Sequence, residues 1–336
     1  MEFIYTRPVM GELKEKTIRF LHGASLDFDE GSEFTVNLME NGEILATGSR
    51  QGKVLKCLAV SKDARGRGLS ALIVTELVRD AVSAGFTHLF LYTKPENGRI
   101  FETLGFYPVA GTDDVLLLEN VKSGVEKFVN SLECPVKKGK IGCIVANCDP
   151  MTKGHLYLVE TAARSCDFLH LFILSEDCSR FPAEVRMMLA RQSVGHLRNV
   201  AVHPTGDYLI SAATFPDYFI QDKACAENIH CMLDLTIFAQ KFAGLLHITT
   251  RFVGSEPFSP TTDCYNRVMK EYLPSQKIEV EIVPRLEIGG LAVSAGRVRE
   301  LLKKGKWEEI RELVPPATYD YLKKADWYER CGRTEA

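Results

Sequence analysis

The sequence lacks the features that mark several large classes of protein. It contains no internal repeat and no low-complexity segment. Hydrophobic residues make up 46% and charged residues 25%, which is ordinary globular composition and excludes a disordered or fibrous protein. Neither sign of charge dominates, because 41 basic and 44 acidic residues leave a net charge of −3. The charge balance therefore predicts neither a nucleic-acid partner nor a membrane partner.

Targeting and membrane-spanning segments are also missing. Residues 1–8 contain no basic region followed by an apolar run, so we expect no signal peptide. The most apolar helical stretch, Cys231–Ile248, is interrupted by Asp234 and Lys241, and we expect it to form a core helix. These absences predict a cytoplasmic protein.

The ten cysteines do not form a pattern typical of redox activity or metal binding. No two are spaced as Cys-x-x-Cys, and no group of histidines and cysteines has the spacing of a structural zinc site. We therefore expect no protein-held metal, and reduced, mostly buried thiols, as is usual in the cytoplasm.

The sequence does contain two α/β patterns, which agrees with its length of 336 residues at about 150 residues per domain. The first has a strand at Val54–Val60, a Gly/Arg turn and a helix at Leu69–Ala84. The basic stretch Pro135–Lys140 leads out of this pattern. We therefore predict a first domain of residues 1–136 and a second of residues 137–336.

The second pattern restarts with a strand at Ile141–Ala146 and alternates strands with helices from there on. Its strands are short apolar runs such as Phe168–Leu174, bounded by polar residues, as expected of buried parallel strands. A long helical region is predicted for Pro216–Leu246. The alternation predicts a doubly wound parallel sheet, whose ligands bind at the carboxyl ends of its strands.

The most informative segment follows the strand Ile141–Ala146. Thr152-x-Gly154-His155 stands where the next helix begins. A helix N-terminus attracts anions, and glycine lets a phosphate approach the backbone closely. An imidazole in the first turn can donate to a developing phosphate charge, which is the stabilisation that nucleotidyl transfer needs. By itself the motif would indicate a structural turn, but its place after the first strand of a parallel sheet favours a nucleotide site.

A second segment near the end of the same domain opens another helix. Ser294 is a good N-cap, and Arg297 and Arg299 are placed to reach a polyphosphate from the helix start. Taken alone, these residues would indicate a capped and solvated surface helix. Together with Thr152-x-Gly154-His155, they support a polyphosphate site.

The two segments resemble the nucleotidylyltransferase superfamily, which has an (H/T)xGH motif and a later Ser-x-x-x-Ile/Val-Arg motif. Within it the sequence is most similar to the citrate lyase ligase family, whose characteristic strings occur in the same order along the second domain. They are Asn147–His155, Tyr208–Phe219, Gly254–Thr261, Tyr265–Asn266 and Ser294–Arg299. The sequence departs from the family pattern at Asp149, Met151 and Gly296, where nucleotide contacts are expected to differ.

This resemblance implies a reaction and a set of site residues. ATP and acetate would form acetyl-adenylate and pyrophosphate, and the acetyl group would pass to a thiol. That thiol ends the phosphoribosyl-dephospho-coenzyme A arm of the citrate lyase acyl carrier subunit, and Mg²⁺ would bridge phosphate oxygens. The residues implied in catalysis are Thr152, His155 and Arg299. Those implied in nucleotide binding are Asn147, Pro150, Gly154, Ser294, Arg297 and Glu256, with Phe258 beside the adenine.

The first domain carries a weaker motif after its strand Val54–Val60. Arg65-Gly66-Arg67-Gly68 resembles the pyrophosphate loop of GNAT acetyltransferases, in which amides at a helix start hold coenzyme A. We therefore expect a GNAT-like fold with Arg65, Gly66 and Gly68 at a coenzyme A site. A further hypothesis is that this loop docks the carrier's arm, and the competing one is that the domain serves only for packing.

Three alternatives to the leading interpretation remain open. The carrier could belong to malonate decarboxylase, which has a similar prosthetic arm. The chain could be a plain nucleotidylyltransferase that makes a dinucleotide cofactor. It could also be a nucleotide-binding regulatory protein that has kept the fold and lost catalysis. Acetate-dependent release of pyrophosphate would separate an acetate ligase from a plain nucleotidylyltransferase, and any ATP turnover would exclude the regulatory protein.

Overall fold

The structure is a computed structural model that describes residues 1–175, 179–209, 218–220, 226–255 and 260–324. The chain forms two compact units. The first contains Met1–Val125 and Thr214–Thr236, and the second contains Glu126–Ala213 and Ile237–Ala336. The sequence analysis did not anticipate that Thr214–Thr236 belongs with the first unit, and the boundary between residues 136 and 137 stays a prediction.

In the first unit, seven strands form one sheet among the described residues. They are β1 (Glu2–Thr6), β2 (Phe34–Glu40), β3 (Glu43–Gln51), β4 (Val54–Val60), β5 (Phe90–Thr93), β6 (Tyr107–Gly111) and β7 (Leu116–Glu119). Their order is β1-β2-β3-β4-β5-β7-β6, and only the β4–β5 pair is parallel. The first three helices along the chain are α1 (Gly11–Gly23), α2 (Leu69–Ser83) and α3 (Gly98–Glu102).

The helix α2 covers the sheet because its apolar residues recur at helical spacing. Leu69, Ile73, Leu77 and Ala81 are buried and lie in one core cluster with Leu55 of β4. This helix and strand β4 agree with the sequence analysis, and the helix ends one residue before the predicted Ala84.

The second sheet has five strands among the described residues, all parallel. They are β8 (Ile141–Ala146), β9 (Phe168–Ile173), β10 (Val200–Pro204), β11 (Thr250–Gly254) and β12 (Glu279–Val283), with a separate ribbon of β13 (Glu287–Ile288) and β14 (Leu291–Ala292). Their order is β10-β9-β8-β11-β12, which confirms the doubly wound sheet. Because the order reverses between β8 and β11, the carboxyl ends of these two strands mark the switch point where ligands bind.

The remaining helices follow the sequence pattern closely. They are α4 (Gly124–Asn130), α5 (Lys153–Ser165), α6 (Ala183–Val194), α7 (Ala226–Ile237), α8 (Pro260–Tyr272), α9 (Ala295–Lys303), α10 (Trp307–Leu313) and α11 (Pro316–Lys324). A wider helical segment, Phe238–Ala243, continues α7. The predicted helix over Pro216–Leu246 is wrong at Tyr218–Ile220, which forms a turn.

The thiols and the apolar stretches are buried as predicted. Among the described residues six cysteines are free, and four of them are buried. Burial raises the pKa of the Cys143 thiol to about 11 and that of the Cys57 thiol to about 12, so both stay protonated. In the described parts of the chain, no helix has the length and apolar character needed to cross a membrane.

Candidate active site

Thr152 begins the helix that follows the first parallel strand. Its Oγ1 accepts a hydrogen bond of 3.3 Å from the backbone N–H of His155, and its own N–H donates to Nδ1 of His155 at 3.1 Å. These two bonds form a reciprocal capping box, which satisfies amides that a helix start leaves unpaired. The imidazole is thereby held in the first turn of α5.

The same bonds decide what His155 can donate. Because Nδ1 accepts from Thr152, the proton of the neutral ring lies on Nε2. Burial and the nearby positive charge of Arg285 lower the pKa of His155 to about 4. The ring is therefore neutral at pH 7 and has an Nε2–H donor for an anion at the N-terminus of α5.

Gly154 brings the two sequence motifs together. A Cβ atom at this position would lie 2.9 Å from the carbonyl oxygen of Val293, closer than such contacts occur. Only glycine lets the first turn of α5 pack against the residue that precedes Ser294. The starts of α5 and α9 are thus direct neighbours.

The helix α9 is capped and places two arginines near its start. The Oγ of Ser294 accepts from the backbone N–H of Arg297 at 3.1 Å. The Nη1 atom of Arg297 is buried and has no hydrogen-bond partner among the residues that the structure describes. A buried guanidinium nitrogen without a partner is costly unless an anion completes its hydrogen bonds.

Arg299 is held against the turn that follows β8. Its Nη1 donates to the carbonyl oxygen of Asp149 and lies 3.4 Å from Oδ2 of the same residue. The carboxylate of Asp149 is buried and also accepts from the backbone N–H groups of Phe181, at 2.9 Å, and Arg180, at 3.3 Å. Asp149, which departs from the family pattern, therefore joins both motifs to the loop before α6.

Asn147 and Pro150 lie in that same turn. Asn147 is exposed, and its side chain exchanges hydrogen bonds with Ser179. Arg186 is fully buried and donates both to the carbonyl of Asn147, at 3.0 Å, and to that of Leu174 after β9, at 2.8 Å. Pro150 is buried. Arg186 thus fixes the carboxyl ends of β8 and β9, a role that no sequence motif indicated.

Several residues expected at the nucleotide site lie outside the part of the chain that the structure describes. Glu256 and Phe258, proposed for the adenine pocket, are outside the described residues, as is most of Tyr208–Phe219. Beside the undescribed segment, Arg285 donates through Nε to the carbonyl of Ser255 at 2.6 Å. Arg285 was not foreseen, because it stands after β12 without a recognisable pattern.

The glycine loop that was expected to hold coenzyme A belongs to the first unit. Gly66 and Gly68 adopt positive φ angles of 78° and 74°, and Arg65 is exposed. Gly68 stands at the start of α2, where no side chain caps the helix. The backbone amides of the first turn are consequently available to an anion.

The arrangement in the second unit fits a polyphosphate. Two helix N-termini converge, the neutral His155 presents a donor, and Arg297 has an orphaned buried nitrogen. Over the described ranges, no group of three or more His, Cys, Asp or Glu side chains is placed to hold a metal ion.

Comparison with known proteins agrees with this geometry. Residues 141–322 match the family described as "Citrate lyase ligase C-terminal domain", and residues 6–106 match the acetyltransferase (GNAT) family. The chain is 39% identical over 315 residues to the citrate (pro-3S)-lyase ligase of Klebsiella pneumoniae, covering 92% of each chain.

Two further relatives extend the comparison. The citrate (pro-3S)-lyase ligase of Escherichia coli K12 is 38% identical over 328 residues, which are 95% of this chain and 93% of that one. A phosphopantetheine adenylyltransferase of Streptococcus sanguinis is 30% identical over 123 residues, which are 35% of this chain and 74% of that one. With its GNAT-like unit followed by this nucleotidylyltransferase-like unit, the chain belongs to the citrate lyase ligase family of enzymes.

Proposed function

We propose that this enzyme uses ATP to attach acetate to the prosthetic thiol of the citrate lyase acyl carrier subunit, and so activates citrate lyase. The observation that carries the proposal is the junction of the two motifs, where Gly154 packs on Val293 and Arg299 on Asp149. It places two helix N-termini and an unpartnered guanidinium nitrogen at the switch point of a parallel sheet. The names of the full-length relatives supply the substrate class.

In the first step, a carboxylate oxygen of acetate attacks the α-phosphorus of ATP. The bond from that phosphorus to the bridging oxygen breaks, and pyrophosphate leaves with the electron pair. Negative charge builds up on the leaving group. The Nε2–H of the neutral His155 can stabilise it by a hydrogen bond, and the guanidinium groups of Arg297 and Arg299 can neutralise it. Acetate is a weak nucleophile, so its alignment with the α-phosphorus contributes as much as the charge stabilisation.

In the second step, the carrier's thiol attacks the acetyl carbonyl of the adenylate. A carbon–sulfur bond forms, the carbon–oxygen bond to AMP breaks, and the thiol proton passes to solvent. The arm of the carrier is a coenzyme A derivative, and the loop of Arg65, Gly66 and Gly68 is proposed to hold its pyrophosphate on the free amides at the start of α2.

Mg²⁺ is proposed as the companion of ATP. When bound, it would draw negative charge from the phosphate oxygens. The described residues offer no carboxylate cluster for it, and Asp149 is already committed to Arg299 and the amide of Phe181. The protein's own contribution is then the placement of the polyphosphate by the two helix starts.

The test is acetate-dependent exchange of radioactive pyrophosphate into ATP, followed by loading of labelled acetate onto carrier proteins. We expect exchange only with acetate, and loading of the citrate lyase carrier in preference to the malonate decarboxylase carrier. Nucleotide turnover that ignores acetate would instead support a plain nucleotidylyltransferase. A complete lack of ATP turnover in folded protein would support a regulatory nucleotide-binding protein.

A further inference from the structure

The two parallel strands of the first sheet separate before they end. The ladder between β4 and β5 contains only the pairs Val54–Phe90 and Leu55–Leu91, although β4 continues to Val60 and β5 to Thr93. A bulge in β4 opposite β3 begins after Lys56, where Cys57 adopts a positive φ of 52°. We call the space between residues 56–60 and Tyr92–Thr93 the β4–β5 gap.

The side chain of Tyr218 closes this gap. Its hydroxyl donates to the carbonyl of Tyr92 of β5 at 3.0 Å. Burial raises the pKa of Tyr218, and so does the nearby Cys57 of β4, so the tyrosine lies beside both strands. The tyrosine is 5% exposed, and its carbonyl accepts from the N–H of Asp27 at 2.7 Å. Tyr218 is thus held in place by hydrogen bonds at its hydroxyl and at its backbone.

The gap and the glycine loop lie at the same end of β4. The loop with Arg65 and Gly68 follows the last residue of β4 after a short turn, Lys62–Ala64, and the gap lies along the carboxyl half of that strand. A long, linear ligand with its pyrophosphate on the loop could reach the gap with its far end. Without Tyr218, the carbonyl of Tyr92 would there suit an amide N–H of the ligand.

We infer that Tyr218 excludes the acyl end of a coenzyme A-type ligand from the β4–β5 gap, so that the first unit binds such a ligand by its nucleotide end and transfers no acetyl group itself. This inference rests on the proposed function only for the identity of the ligand. Its consequence is that the thiol of a docked arm stays outside the first unit.

Calorimetry on the full chain tests the inference, with ATP saturating and acetate absent. The probes are acetyl-CoA, CoA and 3′-phosphoadenosine 5′-diphosphate, which keeps the pyrophosphate of CoA but has no pantetheine arm. For the wild type we expect affinities within about threefold of one another, since the arm adds no buried contact. For Tyr218→Ala we expect acetyl-CoA to gain about tenfold or more over the armless nucleotide, the equivalent of little more than one hydrogen bond.

Two further variants keep the test decisive. Tyr218→Phe keeps the ring in the gap and should behave as the wild type does. The double variant Arg65→Glu/Arg67→Glu should weaken all bound probes alike, whereas Arg79→Glu, an exposed arginine of α2, should weaken none. If Tyr218→Ala does not fold, the wild-type and Tyr218→Phe comparisons still decide.

Some outcomes would overturn the inference. If the wild type binds acetyl-CoA at least tenfold more tightly than 3′-phosphoadenosine 5′-diphosphate, the gap is open to the arm and the inference is wrong. A folded Tyr218→Ala variant with no gain for acetyl-CoA, including one in which no probe binds, shows that Tyr218 does not control entry. Binding of acetyl-CoA by Tyr218→Ala alone supports the inference. Pyrophosphate exchange, measured on the same preparations, tests the proposed function separately.

Discussion

Replacing His155 by alanine separates a catalytic donor from a structural cap. The substitution removes the Nε2–H donor and also the Nδ1 acceptor for the N–H of Thr152. Losing one positioned donor to a transition-state charge costs about 10²–10³ in rate, or roughly 2.7–4 kcal/mol. We therefore expect acetate-dependent pyrophosphate exchange to fall by about that factor.

The structural cost of the same change is smaller. Oγ1 of Thr152 still caps the helix, and only half of the capping box is lost, so the loss of stability should be about 1 kcal/mol or less. For a unit of this size that lowers the melting temperature by about 2–4 °C. The melting temperature and the exchange rate, measured on one preparation, distinguish the two effects.

Two matched variants sharpen the assay. His155→Glu places the usual capping-box residue at the third helical position, so stability should be retained while a carboxylate repels the phosphates. His196→Ala removes an exposed histidine that pairs with Glu160 at 3.1 Å and should change neither quantity. Near-normal exchange in folded His155→Ala, or in His155→Glu, would refute the role of His155.

Three further predictions concern the second unit. Arg299→Ala should raise the KM for ATP more than Arg299→Lys does, because lysine keeps the positive charge and loses only the guanidinium fork. Wild-type kinetics in both variants would show that Arg299 supports the turn at Asp149 and does not bind ATP. Asp149→Ala should lose about 1–3 kcal/mol of stability and weaken ATP binding, with Asp149→Asn in between, as urea unfolding and ATP titration would show; two unchanged quantities would contradict this. His170 and His203, hydrogen-bonded at 3.0 Å, have their pKa values lowered to about 4 by burial. In the unfolded chain the two imidazoles take up protons below about pH 6.5, whereas in the folded chain they do so only below about pH 4. The free energy of unfolding should therefore decrease as the pH is lowered from about 6.5 to about 4, and at pH 5 the loss should be roughly 2 kcal/mol per imidazole. His203→Gln should flatten that dependence in urea unfolding.

In the first unit, the sequence analysis missed strands in which polar side chains are buried. Strands β2 and β3 were not predicted, because polar residues such as Thr35, Asn37 and Ser49 are buried in them and hide the alternation. Their side chains satisfy one another across the sheet, as the 2.9 Å bond between Thr35 and Ser49 shows. A pattern of apolar residues cannot reveal strands whose second face is polar and covered.

Tertiary structure also decided which distant residues act together. Asp149 and Arg299 are 150 positions apart, and the fully buried Arg186 supports Asn147 from the first turn of α6. Tyr218 closes a gap in the first unit, although residues 126–213 of the second unit separate it in sequence from the strands of that gap. None of these pairings has a local signal, since each depends on how separate elements pack.

The sequence by itself determined the elements that local physics controls. The apolar strand β8, the capped start of α5 and the helix after Ser294 each carry their own pattern of burial and capping, so the nucleotide-binding motifs could be found without coordinates. Only the tertiary structure decided that Gly154 meets Val293, that the neutral His155 presents its Nε2–H, and that Arg297 keeps an unpartnered nitrogen. Local signals act over a few residues, whereas distances, burial and pKa shifts arise from neighbours that the fold supplies.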